Sequence, residues 1–308
     1  MSAEQSAAAP ATPASAQWLD IASIAVCTVA WGTTWFAITL QLGAVDPIIS
    51  IVYRFALAAA LLFAWGWSRR ERLALSVPQH AAALGVGMFT FAVDYAFVYW
   101  AEGLVTSAVV AVVFAALAFV NLVAFRLAFG QRAPMMAWAA AGLGVGGVAL
   151  LSWEEIASAQ ISAEAWTGIG LTLAGVVGAA IGNVFARRGE LAGAGVIAST
   201  AWSMGYGAVL LAIFAIATGK SWTFQATPAY VLSLLHLAVF GSVIAFALYY
   251  RLARSRGYAT ASYISALTPP VAMTVSAIFE HKTWGMLALS GVVLVLAGQV
   301  LLLRARRA

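Results

Sequence analysis

The sequence predicts an all-α polytopic membrane protein with ten transmembrane helices, arranged as two inverted five-helix repeats. The first observation is composition, because 63% of the 308 residues are hydrophobic and only 9% are charged, against roughly half and roughly a quarter in soluble domains. The second is a series of apolar runs of about 20 residues, the length that spans a bilayer. The third is a similarity between the two halves of the chain. Composition by itself excludes a soluble globular protein.

Composition and proline positions define the predicted elements along the chain. Residues 1–17 are rich in Ala, Ser and Pro, which predicts a disordered tail and not a cleaved signal peptide. Ten apolar runs follow, each long enough for one span. Four of them carry a proline in the first turn, where a missing N–H costs no hydrogen bond: Pro47, Pro78, Pro134 and Pro228. The predicted spans are 19–41, 47–67, 78–100, 105–126, 134–151, 166–186, 194–218, 228–250, 259–279 and 284–303.

The two halves share the order of their small and hydroxyl-bearing residues. The segment that starts at Gly103 aligns with the one that starts at Gly257, and Gly147 aligns with Gly298. The offsets, 154 and 151 residues, correspond to five helices. Since five is odd, the second copy enters the membrane from the opposite side, as in transporters with a substrate site between their repeats. The predicted units are the tail at 1–17, a first repeat at 18–151, an extracytoplasmic loop at 152–165, and a second repeat with a short basic C-terminal tail at 166–308.

The distribution of positive charge predicts that both termini are cytoplasmic. With that orientation, 13 of the 16 basic residues lie in cytoplasmic connections or in the C-terminal tail, as the positive-inside rule requires. Lys220 and Lys282 lie on the other side, and Arg54 lies within a span. Because the basic residues form short clusters between apolar runs, they indicate topology and not a nucleic-acid surface.

Two ionisable residues lie within the spans, where a charge is costly and therefore indicates function. Arg54 is about two turns from the outer end of the second run. It can bind a carboxylate through its planar guanidinium or form a structural ion pair. Asp94, in the third run, can hold a substrate ammonium, carry a proton or neutralise Arg54. The sequence leaves these alternatives open.

Aromatic residues recur four apart on several runs, which puts each pair on one helix face. The pairs are Trp31 and Trp35, Tyr95 and Tyr99, and Trp202 and Tyr206. Tyrosine hydroxyls at mid-membrane depth need partners, so they favour a cavity or another helix over lipid. We predict an amphipathic pocket for flat, partly apolar solutes. Its predicted lining is Tyr95, Tyr99, Trp202, Tyr206, Tyr249 and Tyr263.

Other small and polar residues favour structural roles. Asn121 and Asn183 are typical of hydrogen bonds between membrane helices. Glycines four apart, at Gly142 and Gly146 and again at Gly178 and Gly182, predict close packing of helix backbones.

Several functional classes lack their motifs in this sequence. There is no Walker motif for ATP, and there is no HExxH or GxSxG motif for hydrolytic chemistry. Cys27 is the single cysteine and the three histidines are far apart in sequence, so no disulfide, metal site or cofactor is predicted. A lipid-modifying enzyme needs a cluster of catalytic polar groups, and a channel needs a ring of charges or carbonyls along its pore. The sequence shows neither, which favours a carrier.

Two groups of residues carry a family resemblance. Residues 30–36, Ala-Trp-Gly-Thr-Thr-Trp-Phe, resemble the opening helix of EamA-type members of the drug/metabolite transporter superfamily. Residues 267–271, Leu-Thr-Pro-Pro-Val, with the turn at 279–283, Phe-Glu-His-Lys-Thr, and the glycines Gly291 and Gly298, are similar to the closing pattern of that family. In the first half, residues 129–132, Phe-Gly-Gln-Arg, replace the acidic turn, so that copy departs from the pattern.

The resemblance covers residues 19–303 and implies a secondary carrier of the bacterial inner membrane that works by alternating access on a small-molecule substrate. Within the family, the branch that exports aromatic amino acids fits the aromatic residues best, so we expect export of aromatic or large neutral amino acids. Proton-coupled export of other metabolites or drugs is the alternative, and a nucleotide-sugar carrier is disfavoured by the single basic residue in the spans. We expect a monomer or weak homodimer in membrane lipid, without nucleic acid. The residues expected to contact substrate are Trp31, Tyr95, Tyr99, Asn183, Trp202, Tyr249 and Tyr263, with a charge or proton role for Arg54 and Asp94.

Overall fold

The computed structural model describes residues 14–43, 45–158, 163–281 and 283–305. Within these ranges the secondary structure is helical, and the all-α prediction is confirmed. The helices are α1 (Ala14–Thr39), α2 (Pro47–Ser68), α3 (Val77–Glu102), α4 (Ser107–Phe129), α5 (Met135–Ser158), α6 (Ala163–Leu191), α7 (Val196–Ala217), α8 (Pro228–Arg256), α9 (Tyr263–Phe279) and α10 (Met286–Ala305). One further turn of helix, Tyr258–Ala261, precedes α9. Most of the predicted tail, the centre of the 152–165 loop and Lys282 lie outside the described residues.

Seven of these helices are long and apolar enough to cross a membrane, namely α1 to α4 and α6 to α8. Shorter apolar helical stretches lie at Met135–Gly147, Tyr263–Phe279 and Met286–Gly298, within α5, α9 and α10. The helices of the described ranges overlap the predicted runs, but some bounds differ from the prediction. Residues 14–17 of the predicted tail belong to α1, and the described parts of the predicted 152–165 loop belong to α5 and α6. Ten membrane crossings, and the side on which each terminus lies, stay predictions.

The helix starts follow the predicted proline positions. α2 begins at Pro47, and the Asp46 side chain accepts a hydrogen bond from the Ile48 backbone N–H at 2.9 Å. α8 begins at Pro228 after the capping residue Thr227. Pro78 lies in the first turn of α3, whereas Pro134 lies one residue before α5. Proline at these positions marks the start of a helix, because the helix cannot continue through it toward the N-terminus. Its missing N–H costs no hydrogen bond there, since the first N–H groups of a helix have no partner within the helix.

The contacts between helices follow a regular pattern. α2 packs along α7, and α5 packs along α10. α1 packs against α8 and α9, while α6 packs against α3 and α4. α4 and α9 also contact each other. The two halves can be exchanged helix by helix, so that α1 is replaced by α6, α2 by α7, and so on through α5 and α10. This exchange gives the same set of contacts.

Two helices contain π-helical segments, which are Gly87–Asp94 in α3 and Val239–Ile244 in α8. The two segments begin 152 residues apart, within the range of offsets that relates the halves of the sequence. A π-helical turn inserts one residue, so it changes the direction of the side chains that follow and often occurs at functional sites. Asp94 ends the first segment, and Ser242 lies in the second.

Glycines on one face of α6 allow α3 to approach closely. A Cβ atom at Gly182 would overlap the side-chain hydroxyl of Thr90, and one at Gly178 would lie 3.0 Å from the carbonyl oxygen of Phe89. The predicted packing role of Gly178 and Gly182 is therefore confirmed. At Gly142 and Gly146 a Cβ would meet nothing within 4 Å of the described structure, so that prediction was wrong. The packing glycine of α5 is Gly147, because a Cβ there would lie 2.5 Å from the carbonyl oxygen of Gly291 on α10.

We expect Gly182→Ala to destabilise the protein by about 1–3 kcal/mol, because the methyl group forces α6 away from the stiff β-branched side chain of Thr90. Gly142→Ala is the matched control, since its methyl group meets open space and removes the helix penalty of glycine, a gain of up to about 1 kcal/mol. Thermal melting of the two variants in detergent gives the comparison. Equal melting temperatures would contradict the proposed contact.

Candidate functional site

A central cavity lies where α1, α2, α3, α4, α6, α8 and α9 meet. It contains about 690 Å³ of atom-free space, counting its open side. Apolar and aromatic side chains make up most of its wall, and a few polar groups project into it. This is the general composition of a binding site for a small, partly apolar solute.

Arg54 is buried, with 1% of its surface exposed, and it lines the cavity. Its Nε donates to the hydroxyl of Ser242 at 3.0 Å, and its terminal nitrogens donate to the hydroxyls of Tyr99 at 3.5 Å and Tyr95 at 3.4 Å. The guanidinium carbon also lies 4.7 Å from the centre of the Tyr95 ring. None of the ion pairs found among the described residues involves Arg54. Neutral groups therefore hold the guanidinium, and its charge is available to an anion in the cavity.

Asp94 lines the same cavity and is 3% exposed. Its Oδ1 is buried and has no hydrogen-bond partner in the part of the chain that the structure describes. Asp94 and Arg54 attract each other electrostatically, but they form no direct ion pair. A Cβ at Gly175 of α6 would lie 2.9 Å from Oδ1, so the glycine face leaves room for the carboxylate. The cavity thus contains one positive and one negative side chain.

An aromatic wall, formed by Trp31, Tyr95, Phe246 and Tyr249, lines the cavity beside these charges. The Trp31 ring lies 5.3 Å from the rings of both Phe246 and Tyr249. Its indole N–H donates to the carbonyl oxygen of Gly241 at 3.1 Å, which fixes the ring between α1 and α8. Three members of this wall were predicted from the sequence, and Phe246 was not.

A polar network of two asparagines, a serine and a tyrosine borders the cavity. Asn183 donates to Asn121 at 3.3 Å, and Asn121 donates to Ser262 through a short hydrogen bond. The hydroxyls of Ser262 and Tyr249 are 3.2 Å apart. The predicted interhelical hydrogen bonds of both asparagines are therefore present. Asn183 also lines the cavity, so it can contribute to both structure and binding.

Four residues predicted for the pocket do not line the cavity, and one of them, Tyr206, has its hydroxyl 2.8 Å from Nδ1 of His80 instead. Tyr99 is buried behind Arg54 and donates to Gln41 at 3.1 Å. Tyr263 packs with residues of α4 and α5. Trp202 donates from its indole N–H to the carbonyl oxygen of Leu73 at 2.9 Å and contacts the ring of His80. A spacing of four identifies one helix face, but it does not show which neighbour that face meets.

One further acidic residue was missed as a site candidate. Glu102 ends α3 and is 6% exposed, and both carboxylate oxygens are buried without a hydrogen-bond partner in the described ranges. It interacts electrostatically with Glu280, which accepts hydrogen bonds from Ser107 at 3.1 Å and from Ser276. Glu102 lies between the predicted spans 78–100 and 105–126 and was therefore not considered as a residue within the membrane. Its spacing after Tyr95 and Tyr99 was the available signal, because all three share one helix face.

Metal ligation finds no support in the described ranges, where no group of three or more His, Cys, Asp or Glu side chains lies close enough together to hold an ion.

Comparison with known proteins gives matches over most of the chain. The EamA-like transporter family matches residues 18–153 and again residues 166–304. The uncharacterized inner membrane transporter YedA of Escherichia coli K12 is 30% identical over 246 residues, which cover 80% of this chain and 78% of YedA. Protein PagO of Salmonella typhimurium LT2 is 25% identical over 150 residues, 49% of each chain. A crystal structure with 20% sequence identity has a TM-score of 0.73 and covers 96% of this chain and 100% of its own, a likeness of fold alone.

Proposed function

This chain belongs to the EamA-like transporter family, and from that premise we propose that it exports aromatic or large neutral amino acids by alternating access. Its relatives and its apolar helices identify it as a multi-pass transporter of the inner membrane. One observation carries the proposed substrate class: Arg54, Asp94 and the aromatic wall line a single cavity.

A zwitterionic aromatic amino acid matches these three features of the cavity. The Arg54 guanidinium binds the substrate carboxylate, because a planar fork of donors fits two carboxylate oxygens. The carboxylate of Asp94 accepts from the ammonium group. The rings of Trp31, Phe246 and Tyr249 contact the substrate side chain, and Asn183 supplies a hydrogen bond. Because Arg54 and Asp94 compensate both charges of the solute, the solute can enter this largely apolar cavity without leaving a charge buried and unpaired.

The proposed mechanism uses the two halves as inverted repeats that rock around the cavity. Three observations support this: the family matches each half separately, the helix contacts are preserved on exchange of the halves, and both halves carry a π-helical segment in their third helix. Sites of such carriers lie between the repeats near the membrane midplane. We further propose cytoplasmic termini, no cofactor, and a monomer or weak homodimer as the working unit.

Uptake into liposomes that contain the purified protein tests this function. A panel of radiolabelled amino acids is offered with and without an imposed pH gradient. We expect saturable uptake of aromatic and large neutral amino acids, with little uptake of small or acidic ones. Failure to take up any amino acid would refute the substrate class and leave the family and the fold unchanged.

We expect Trp31→Ala to lower uptake of aromatic amino acids by roughly tenfold or more, because the variant loses the ring that contacts the substrate side chain. Trp202→Ala is the matched control, since Trp202 lies outside the cavity. Initial rates in liposomes with equal amounts of protein provide the measurement. A larger loss in Trp202→Ala than in Trp31→Ala would return Trp202 to the substrate site and exclude the cavity described above.

A further inference from the structure

We propose that a cleft between α3, α6, α7 and α8 is a second site, which binds the carboxylate group of a solute before the solute enters the central cavity. The cleft lies at the arginine-rich end of the bundle, where α6 and α8 end, and it contains about 310 Å³ of atom-free space, counting its open side. The identity of its ligand rests on the proposed function, whereas the chemistry of the site rests on its own side chains.

Arg254 supplies the positive charge of this cleft. Its terminal nitrogens donate to the carbonyl oxygen of Ala194 at 2.6 Å and to the hydroxyl of Ser199 at 3.4 Å. Its Nε is buried and has no hydrogen-bond partner in the described ranges. The bonds to Ala194 and Ser199 hold the guanidinium in place, and the unused N–H remains for a ligand.

Two tyrosines complete the wall of the cleft. Tyr250 and Tyr258 both line it and are 5% and 3% exposed. The Tyr258 hydroxyl has no hydrogen-bond partner among the described residues, whereas the Tyr250 hydroxyl lies near the Thr90 side chain. A buried hydroxyl without a partner is unfavourable, so an acceptor oxygen of an occupant would stabilise the Tyr258 hydroxyl. The described lining contains no Asp or Glu. The neighbouring acid, Glu190, is paired through Oε1 with Arg187 at 2.5 Å, while its Oε2 is buried without a partner in the described ranges and interacts electrostatically with Tyr258. Arg254 and the Tyr258 hydroxyl are the donors that the cleft offers to a carboxylate.

Tyr250 also separates the cleft from the central cavity. Its ring centre lies 5.3 Å from that of Tyr249 and 5.8 Å from that of Phe246, both of which line the central cavity. On its other side, the Tyr258 ring lies 6.4 Å away. Movement of one side chain would therefore connect the two spaces. A solute held at Arg254 would then pass its carboxylate to Arg54, so the two arginines act in series.

Charge-selective labelling tests the cleft independently of transport. Cys27 is the single cysteine, so Cys27→Ala allows one new thiol at Ala186→Cys, a half-buried position in the cleft lining. In detergent, the rates of reaction with an anionic methanethiosulfonate (ethylsulfonate) and a cationic one (ethyltrimethylammonium) are compared. We expect Arg254→Gln to lower the anion-to-cation rate ratio roughly tenfold, and Arg254→Lys to retain it. The exposed position Ser76→Cys is the control, and its ratio should not respond to Arg254→Gln.

Protection from labelling identifies the group that is bound. L-phenylalanine and 3-phenylpropanoate, which share a carboxylate, should slow labelling of Ala186→Cys by the anionic reagent, and phenethylamine, which lacks one, should not. Protection by 3-phenylpropanoate without protection by L-phenylalanine would keep the carboxylate site and refute amino acids as its ligands. A rate ratio that does not respond to Arg254→Gln, together with no protection by either carboxylate, would overturn the site, while the proposed function would still be decided by uptake through the central cavity.

Discussion

Replacing Arg54 with Gln is expected to weaken the binding of L-phenylalanine by roughly 30-fold or more, the usual effect of removing one partner of a buried charge pair. The reason is that the guanidinium lines the cavity and its hydrogen bonds go to neutral hydroxyls. Within the described lining, its charge is balanced only by Asp94, with which it forms no direct ion pair. Phenethylamine is the same solute without its carboxylate. Its affinities for the variant and for the wild type should differ by less than about threefold, a much smaller change than the one expected for L-phenylalanine. Competition against uptake of a radiolabelled amino acid measures both affinities.

Two further variants separate binding from folding. Arg54→Lys keeps the charge and loses the planar fork, so we expect an intermediate affinity. Arg188→Gln removes an exposed arginine whose guanidinium lies 5.3 Å from the Phe185 ring centre, and it should bind both solutes as the wild type does. Because Arg54 also bonds Ser242 across α2 and α8, each variant needs a melting temperature. Equal losses of affinity for both solutes would assign Arg54 a purely structural role.

Arg54 and Asp94 were predictable from the sequence because charges within apolar runs are rare, and their cost restricts them to protein interiors. The aromatic residues were less predictable. Trp31 and Trp202 each begin a pair spaced by four, yet one lines the cavity and the other contacts the carbonyl oxygen of Leu73. The direction of a helix face depends on rotation of the helix against its neighbours, and that rotation is a property of tertiary packing.

The overall arrangement of helices followed from hydrophobicity and proline positions, because both act through local physical constraints. The π-helical segments did not, since inserting one residue into a helix leaves no clear pattern in a chain that is apolar throughout. Ser242 bonds Arg54 from within such a segment, and no spacing rule would have paired the two. Glu102 was missed for a different reason, because the ends of apolar runs are uncertain by a few residues.

Asp94→Asn is expected to weaken binding of L-phenylalanine by roughly tenfold or more, because the amide cannot compensate the substrate ammonium. Binding of 3-phenylpropanoate, which lacks the amine, should not weaken and should improve if the wild-type carboxylate repels it. Glu71→Gln removes an exposed acid from the α2–α3 connection and is the control of equal charge change. If Arg54→Gln weakens binding through the carboxylate and Asp94→Asn weakens binding through the amine, the two variants together define the orientation of the amino acid in the cavity.

The same variant distinguishes substrate binding from proton transfer. The charged or titratable side chains that line the cavity with Asp94 are Arg54, Tyr95 and Tyr249, so Asp94 is the only carboxylate in the described lining. If Asp94 binds the substrate ammonium, an imposed pH gradient should leave the initial rate of wild-type uptake unchanged. If a pH gradient instead drives accumulation in the wild type, and Asp94→Asn abolishes the accumulation while preserving exchange of labelled for unlabelled substrate, Asp94 carries the proton. That result would favour proton-coupled export through the same cavity.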